Sequence, residues 1–574
     1  MKYRWMPAPP QPLLTEKLST TLGITPLLAQ CLVNRGLSDA EAIERFLNPK
    51  LKSLADPFLL PNMEAAVVRL LAARERSEPV VIFGDYDVDG VTSSALLIEV
   101  LRAIGWTVHS FLPRRMEEGY GLTRDGVENC LNQFPTTLLL AVDCGSTAFE
   151  TVAWLKGRGV DVIVLDHHQI SNPPPAAVAL VNPQMTPDSG LRTPDFKELC
   201  SAGLAFKLAH ALVKRGRELG LPGASAFELK PLLDLVALGT IADLVPLTGE
   251  NRIFVSVGME RLKNTDRPGL VALKKVSGTN ADMRAHEVGF QLAPRLNAAG
   301  RLETAEAALN LLLANSLEGA MPMAQLLDSQ NRERQSIERG ISDQIVGAVR
   351  ARFKPETDFV IVEGQLLWHI GVVGIVASRV LNEFYRPTII LGGDSDNWRG
   401  SGRSIVGFDL AAALRECNDL LVRHGGHAMA AGLTIHPDNL DAFRKRLNEV
   451  ARREIRPDQL QPPLRLDAEV KLHDVSLDTL AELDRLNPTG QGNPALQFFA
   501  RNVRHNRPLM RMGNEKQHVK MWITDGKTTH EAVWWRAGQG SLPVGEFDLA
   551  FAPQVNEFNG RRSVQLKVLD WRPV

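Results

Sequence analysis

Three times before residue 170 a short run of apolar residues ends on an aspartate. Val80-Val81-Ile82-Phe83-Gly84 reaches Asp85, Leu138-Leu139-Leu140-Ala141-Val142 reaches Asp143, and Val162-Ile163-Val164-Leu165 reaches Asp166. Helical stretches such as Thr92 to Ile104 lie between them, and Thr107 to Leu112 adds a further strand signal. Continuous apolar strands alternating with helices imply an α/β fold with a parallel sheet covered on both faces. Such a sheet gathers its carboxyl ends along one edge, where ligands bind. The strand-end aspartates are therefore predicted to share a site. A lone aspartate there is usually a cap and a lone histidine is usually structural; the repetition is what argues for chemistry.

The first strand end continues as Gly84-Asp85-Tyr86-Asp87-Val88-Asp89-Gly90. In an extended segment alternate side chains share one side, so Asp85, Asp87 and Asp89 are expected to converge. Carboxylates held close raise one another's pKa unless cations neutralise them. Hard oxygen donors of this kind suit Mg²⁺ or Mn²⁺. The alternative is an acidic loop or a Ca²⁺ loop, although the downstream Glu of a Ca²⁺ loop is missing and a helix follows. Gly90 is expected to turn the chain into that helix. The third strand end reads Asp166-His167-His168, and Ala237-Leu238-Gly239-Thr240-Ile241-Ala242 sets Asp243 behind another apolar stretch. Asp87, Asp89, Asp143, His167 and Asp243 would together hold two divalent ions, an arrangement that activates water and stabilises the leaving oxygen in phosphodiester hydrolysis.

A chain of 574 residues is too long for one core. Short helices are expected over residues 1–60 and the catalytic α/β domain over 61–315. A connecting helix is expected over 316–354, where Ile337, Ile341, Ile345, Val349 and Phe353 recur at every fourth position. A smaller α/β unit follows over 355–456, with strands at Phe359 to Val362 and Thr388 to Leu391. Beyond a proline-containing linker, short aromatic-rich strands over 463–574 suggest a small β-barrel such as an OB-fold.

Five scattered cysteines without a Cys-x-x-Cys pair argue against a disulfide framework or a zinc ribbon. No apolar run approaches the ~20 residues of a membrane helix, and the N-terminus lacks the apolar core of a signal peptide. The expected compartment is the cytoplasm, with no membrane contact. A net charge of −1 gives no support to nucleic-acid binding, yet Phe498 to Val574 holds twelve Lys or Arg against seven Asp or Glu. There Arg501, Arg504, Arg507, Lys516, Lys520, Arg561 and Arg562 interleave with Trp522, Trp534, Trp535 and Phe558. Cations for phosphates and rings for bases are what nonspecific single-strand binding requires, though most of the tryptophans are assigned to the barrel core. In the second unit, Trp398-Arg399-Gly400-Ser401-Gly402-Arg403-Ser404 reads as a glycine-loosened loop with hydroxyl and guanidinium groups for phosphate. After the Thr107 strand, Arg115 offers a bidentate phosphate fork and Tyr120 a stacking face; a solvated Arg and a packed Tyr are equally good readings of these residues.

In their order along the chain, Asp-Tyr-Asp-x-Asp-Gly, Asp143, Asp166-His167-His168 and Gly239 to Asp243 resemble the successive motifs of the DHH phosphoesterases. Arg295-Leu296-Asn297-Ala298-Ala299-Gly300-Arg301 resembles the further motif of the RecJ branch. Trp368 to Arg379 and Gly425-Gly426-His427 resemble the DHH-associated substrate domain, and the last domain resembles that branch's OB-fold. The resemblance covers nearly the whole chain. It implies a single-stranded-DNA-specific exonuclease of DNA recombination and repair that degrades 5′ to 3′ with Mn²⁺ or Mg²⁺ and releases 5′-mononucleotides. Asp87, Asp89, Asp143, His167 and Asp243 would be metal ligands, with Asp85 ligating or just outside. Asp166 would orient a histidine and His168 would face the scissile phosphate. Arg115, Ser401 and Arg403 would hold the terminal 5′ phosphate, and Tyr120, Asn297, Arg301, Arg379 and His427 would contact the substrate. The implied partners are single-stranded DNA, single-strand binding protein and a RecQ-type helicase, with the chain a monomer. Phe83 stands where related pyrophosphatases carry a histidine, which argues against that branch. A DHH phosphodiesterase of short oligonucleotides or cyclic dinucleotides fits poorly, because such relatives lack the long N-terminal segment and the OB-like tail. An inactive DNA-binding scaffold would have lost metal ligands that are present here.

Overall fold

The computed structural model describes the chain except for residues 1, 115–116, 186–195, 281, 303, 394–396 and 538–540, and the side chain of residue 302. Its catalytic domain is built on a five-stranded parallel sheet with strands in the order Val108–Phe111, Val80–Gly84, Leu138–Val142, Asp161–Leu165, Ala179–Val181. The alternation along each strand explains why the apolar runs are unbroken. Ile82, Leu140, Val142, Ile163 and Leu165 face a core shared with the helices Val88–Ile104, Ser201–Glu218 and Leu233–Ala242. Val81, Phe83, Leu139, Ala141, Val162 and Val164 face the helices Arg124–Gln133 and Phe149–Gly157. Both faces bury apolar side chains, so no polar alternation is needed.

The connecting helix runs from Leu317 to Arg352, about 54 Å at 1.5 Å per residue. Its first half joins the catalytic core through Ala320, Ala324 and Leu327. Its second half joins a separate core through Ile341, Ile345 and Val349. Between them Asp328, Asn331, Arg334 and Glu338 are buried. The second unit is a five-stranded mixed sheet ordered Arg423–His427, Ala430–Ile435, Trp398–Arg403, Thr388–Gly392, Ile361–Gly364. The segment expected as a glycine-loosened loop at 398–404 is thus mostly a central strand. Its glycines are there because leucines of the sheet's core occupy the space a side chain would need: a Cβ on Gly402 would meet Leu410 at 2.6 Å.

The C-terminal barrel closes where Phe498–His505 pairs with both Glu546–Phe558 and His518–Thr524. Its interior is Phe498, Met521, Ile523, Phe547, Leu549, Phe551 and Leu566. Of the tryptophans assigned to that core, Trp534 packs against it partly buried, Trp522 is half-buried, and Trp535 is exposed. Within residues 1–60 the expected short helices form, and these pack onto other parts of the chain. Leu28, Leu32, Ile43 and Phe46 share the barrel's core, and Arg4–Pro7 pairs in parallel with Pro463–Leu466. The two chain ends therefore form one unit, which meets the catalytic domain at Arg252 and Leu247. Among the described residues, no helix is long and apolar enough to cross a membrane.

Candidate metal centre and phosphate cleft

Register, more than local sequence, assembles the site. Gly84 lies opposite Val142, Val142 opposite Leu165, and Leu165 opposite Val181. The ladder continues one residue further, with Asp85 N–H donating to Val142 O, Asp143 N–H to Leu165 O and Asp166 N–H to Val181 O. Asp85, Asp143, Asp166 and Asn182 therefore form one row along the carboxyl edge. Asp143 takes a left-handed backbone conformation there, with φ 63°.

Asp85, Asp87 and Asp89 converge, but not as alternate residues of a strand. The helix begins at Val88, so Asp87 is its N-cap, accepting from the N–H groups of Asp89 and Gly90, and Asp89 sits in its first turn. Gly90 is likewise inside the helix. It is small because a Cβ there would lie 2.4 Å from the Asp85 carbonyl oxygen. Asp243 caps the C-terminus of the helix Leu233–Ala242. His167 Nε2 lies 3.4 Å from Asp243 Oδ2, 3.5 Å from Asp143 Oδ1 and 3.9 Å from Asp89 Oδ2.

Two ligand sets result, Asp89–His167–Asp243 and Asp85–Asp87–Asp143, and within each the donor atoms lie within 4.8 Å of one another. Asp143 and His167, with His168, form an overlapping third set that joins the other two. Asp85 Oδ1, His167 Nε2 and Asp243 Oδ2 are buried without a hydrogen-bond partner among the described residues. A folded protein seldom leaves three buried polar atoms without a hydrogen bond at one place, so the donor set fits divalent cations. The Phe83 ring is buried and stacked on Phe111, away from any ligand role.

Burial, then repulsion from neighbouring aspartates, pushes the carboxyls of Asp85 and Asp143 well above the usual range and that of Asp243 up to about 9. Asp89 is raised chiefly by burial. Burial likewise depresses His167, favouring the neutral imidazole that ligates metal. Asp166 behaves oppositely. Burial works to raise it, but His168 Nδ1 at 2.7 Å and the Ser146 N–H hold it well below the ordinary value. Burial also opposes the charge on His168, yet Asp166 lifts it to about 9. Asn182 and Ser146 went unnoticed in the sequence. The Asn182 side chain donates to Ser146 Oγ and to His168 O, bracing this pair. The short strand Ala179–Val181, ending on Asn182, was the available signal.

The other candidates divide. The Tyr120 hydroxyl lies 3.0 Å from His168 Nε2, so it adjoins the acidic and histidine cluster as well as presenting an exposed ring. A cleft of about 640 Å³ is lined by Tyr120, Gly145, Thr147, Asp166, His168 and, from the second unit, His427. Ser401 accepts from Arg403 Nη1 at 2.8 Å, and the helix Val373–Phe384 begins against the pair. A Cβ on Gly374 would stand 3.0 Å from Ser401 Oγ and 3.1 Å from Arg403 Nη2. Three further expected substrate contacts each have a partner within the protein. Asn297 Oδ1 accepts from Val88 N–H, Arg301 donates to Gly371 O, and Arg379 pairs with the buried Glu338 of the connecting helix. Arg115 lies outside the described residues. In the barrel, Arg507 and Lys520 each sit 5.5 Å from the Trp522 ring centroid, while Lys520 and Arg501 are also paired with Glu531 and Glu469.

Three family descriptions match the chain: the DHH family N-terminal domain over 79–240, the DHHA1 domain over 357–453 and the RecJ OB domain over 466–570. The single-stranded-DNA-specific exonuclease RecJ of Bacillus subtilis is 37% identical over 575 residues, covering 99% of this chain and 71% of that protein. The crystal structure of RecJ from Thermus thermophilus with Mn²⁺ is 31% identical with a TM-score of 0.84, covering 100% of this chain and 80% of that one. The same protein with Mg²⁺ is 30% identical with a TM-score of 0.78, covering 100% and 79%.

Proposed function

The chain belongs to the RecJ family of single-stranded-DNA-specific exonucleases, and on that premise we propose that it shortens single strands from the 5′ end and releases 5′-mononucleotides. The observation that carries this reading is the acidic cluster at the sheet edge, where three buried donor atoms lack a hydrogen bond among the described residues, beside a cleft that Asp166 and His168 line together with His427 of the second unit. Two divalent ions bound by Asp85, Asp87, Asp89, Asp143, His167 and Asp243 would supply an activated water and neutralise the leaving oxygen. The remaining chemistry falls to the chain's own groups. His168, kept charged by Asp166, would donate from Nε2 to a phosphate oxygen in place of the Tyr120 hydroxyl. Ser401, Arg403 and the N-terminus of the helix Val373–Phe384 offer a hydroxyl, a guanidinium fork and a helix end to a terminal phosphate, with Arg115 as a further ligand. A doubly charged terminal phosphate gains more there than an internal phosphodiester, which favours starting at the 5′ end.

Five free, buried cysteines suit a reducing cytoplasm. Action as a monomer beside single-strand binding protein and a RecQ-type helicase completes the proposal; sedimentation and pull-down test those parts separately. Strands labelled at either end, incubated with Mn²⁺, test the polarity. The expected result is early release of labelled 5′-mononucleotide and late loss of the 3′ label, abolished in Asp143→Ala without loss of strand binding. Early release of the 3′ label would overturn the polarity, and near wild-type cleavage by Asp143→Ala would overturn the metal assignment.

A further inference from the structure

Asp89 and Asp143 come from different elements, the first turn of one helix and the end of a strand, so neither element sets the spacing of their carboxylates. The helix Ser201–Glu218 begins between them. Its Ser201 N–H donates to Asp89 Oδ2 at 2.7 Å and its Ala202 N–H to Asp89 Oδ1 at 2.8 Å. The Ser201 hydroxyl donates to Asp143 Oδ1 at 2.9 Å. Asp89, Asp143 and Ser201 are all buried, the serine completely.

We propose that Ser201 is a positioning residue of the metal centre, tying Asp89 of one ligand set to Asp143 of the other so that both sets are preformed before a divalent cation binds. The inference rests on the two-ion reading above. Its physical basis is the difference between the two bonds. Asp89 is held by main-chain N–H groups at a helix N-terminus, which the helix points at it whatever the side chains are. Asp143 is held by a side-chain hydroxyl, which has a single proton to give. Charge-assisted bonds of this kind are short and directional. Without the hydroxyl, the Asp143 carboxylate keeps its place on the strand but loses the donor that fixes its rotation. An incoming cation must then supply that order itself. Outer partners of metal ligands typically matter ~10–100-fold in affinity, and Ser201 touches two ligands at once.

The test is titration of the metal-free full-length protein with Mn²⁺ alone, followed by calorimetry, with melting measured before and after saturation. Ser201→Ala should weaken Mn²⁺ binding ~10–100-fold while the metal-free protein melts as the wild type does. Ser201→Thr, which restores the hydroxyl, should recover most of the affinity. A merely structural serine would show the reverse pattern, with lowered metal-free melting and unchanged affinity, and that result overturns the proposal. So does Ser201→Thr binding no tighter than Ser201→Ala, or failure of both variants to fold without metal. Absence of Mn²⁺ binding by the wild type would instead defeat the two-ion reading itself.

Discussion

Arg252 should hold the two halves of this molecule together. It sits in the helix Gly249–Lys263 of the catalytic domain and is almost fully buried. Among the described residues its guanidinium meets no carboxylate. It donates to the carbonyl oxygens of Phe46 at 2.6 Å, Asn487 at 2.9 Å, Leu486 at 3.0 Å, Arg485 at 3.1 Å and Pro488 at 3.5 Å, and lies 3.7 Å from the Phe46 ring centroid. Burial, with the nearby charge of Arg35, lowers its pKa to about 10, which leaves it charged at neutral pH. Arg252→Met keeps most of the side-chain bulk and removes every donor. Hydrogen bonds to charged groups contribute about 1.5–3 kcal/mol each, but the five share one cation and some carbonyls regain water. A loss of about 3–5 kcal/mol is the reasonable expectation. That is a large part of the 5–15 kcal/mol that holds a typical domain. Arg252→Lys retains the charge but offers three donors to five acceptors, so it should lose roughly half as much. Urea unfolding of the metal-loaded proteins, paired with limited proteolysis around residues 485–493, measures both the energy and its location. The expected order of stability is wild type, then lysine, then methionine, with new cleavage near Asn487. An Arg252→Met protein with wild-type midpoint and protection would refute the reasoning.

Metal-free protein should lose stability as pH rises from about 7 to 9. Asp243, raised to about 9 from 3.8, holds a proton the unfolded chain has lost, so folding is penalised increasingly across that interval. His168, raised to about 9 from 6.5, stabilises fully below 6.5 and loses that contribution through 9, in the same direction. Melting curves with and without saturating Mn²⁺ check this; a metal-free profile that is flat or rising would contradict it. Truncation near Gln461 should yield a poorly folded chain, because Leu28, Leu32, Ile43 and Phe46 would be deprived of the barrel core they share; a truncated protein melting like the full chain would disprove the shared core. A cleaner probe of the barrel is Arg504→Ala with Arg507→Ala, which should flatten the dependence of log affinity on log salt by ~0.7 for each phosphate the variant no longer neutralises. Arg403→Ala should reduce the preference for phosphorylated over hydroxyl 5′ ends more than it weakens binding of long strands, as end-labelled competition would show.

Much of the site was legible because its signals are local. A run such as Leu138 to Val142 announces a buried parallel strand by its own composition, and the residue that ends it must lie at the carboxyl edge. The aspartates and histidines at those ends could therefore be named without knowing how the strands pair. Which of them sit in one row is a matter of register, fixed only when Gly84, Val142, Leu165 and Val181 align across the sheet. What the sequence left open depends on packing between distant segments. Asp89 is held by a helix that starts 112 residues later. Asn297, Arg301 and Arg379 also meet Val88, Gly371 and Glu338, partners that their motifs do not reveal. The same limit hid the union of the two chain ends, since nothing in Leu28 or Phe46 points to Phe498 or Leu566 as a partner. Periodicity shows that a side chain is buried; only the closed tertiary structure decides against what. A polar side chain carries no mark of its partner at all, because a hydrogen bond is won by whichever acceptor the folded backbone brings within reach.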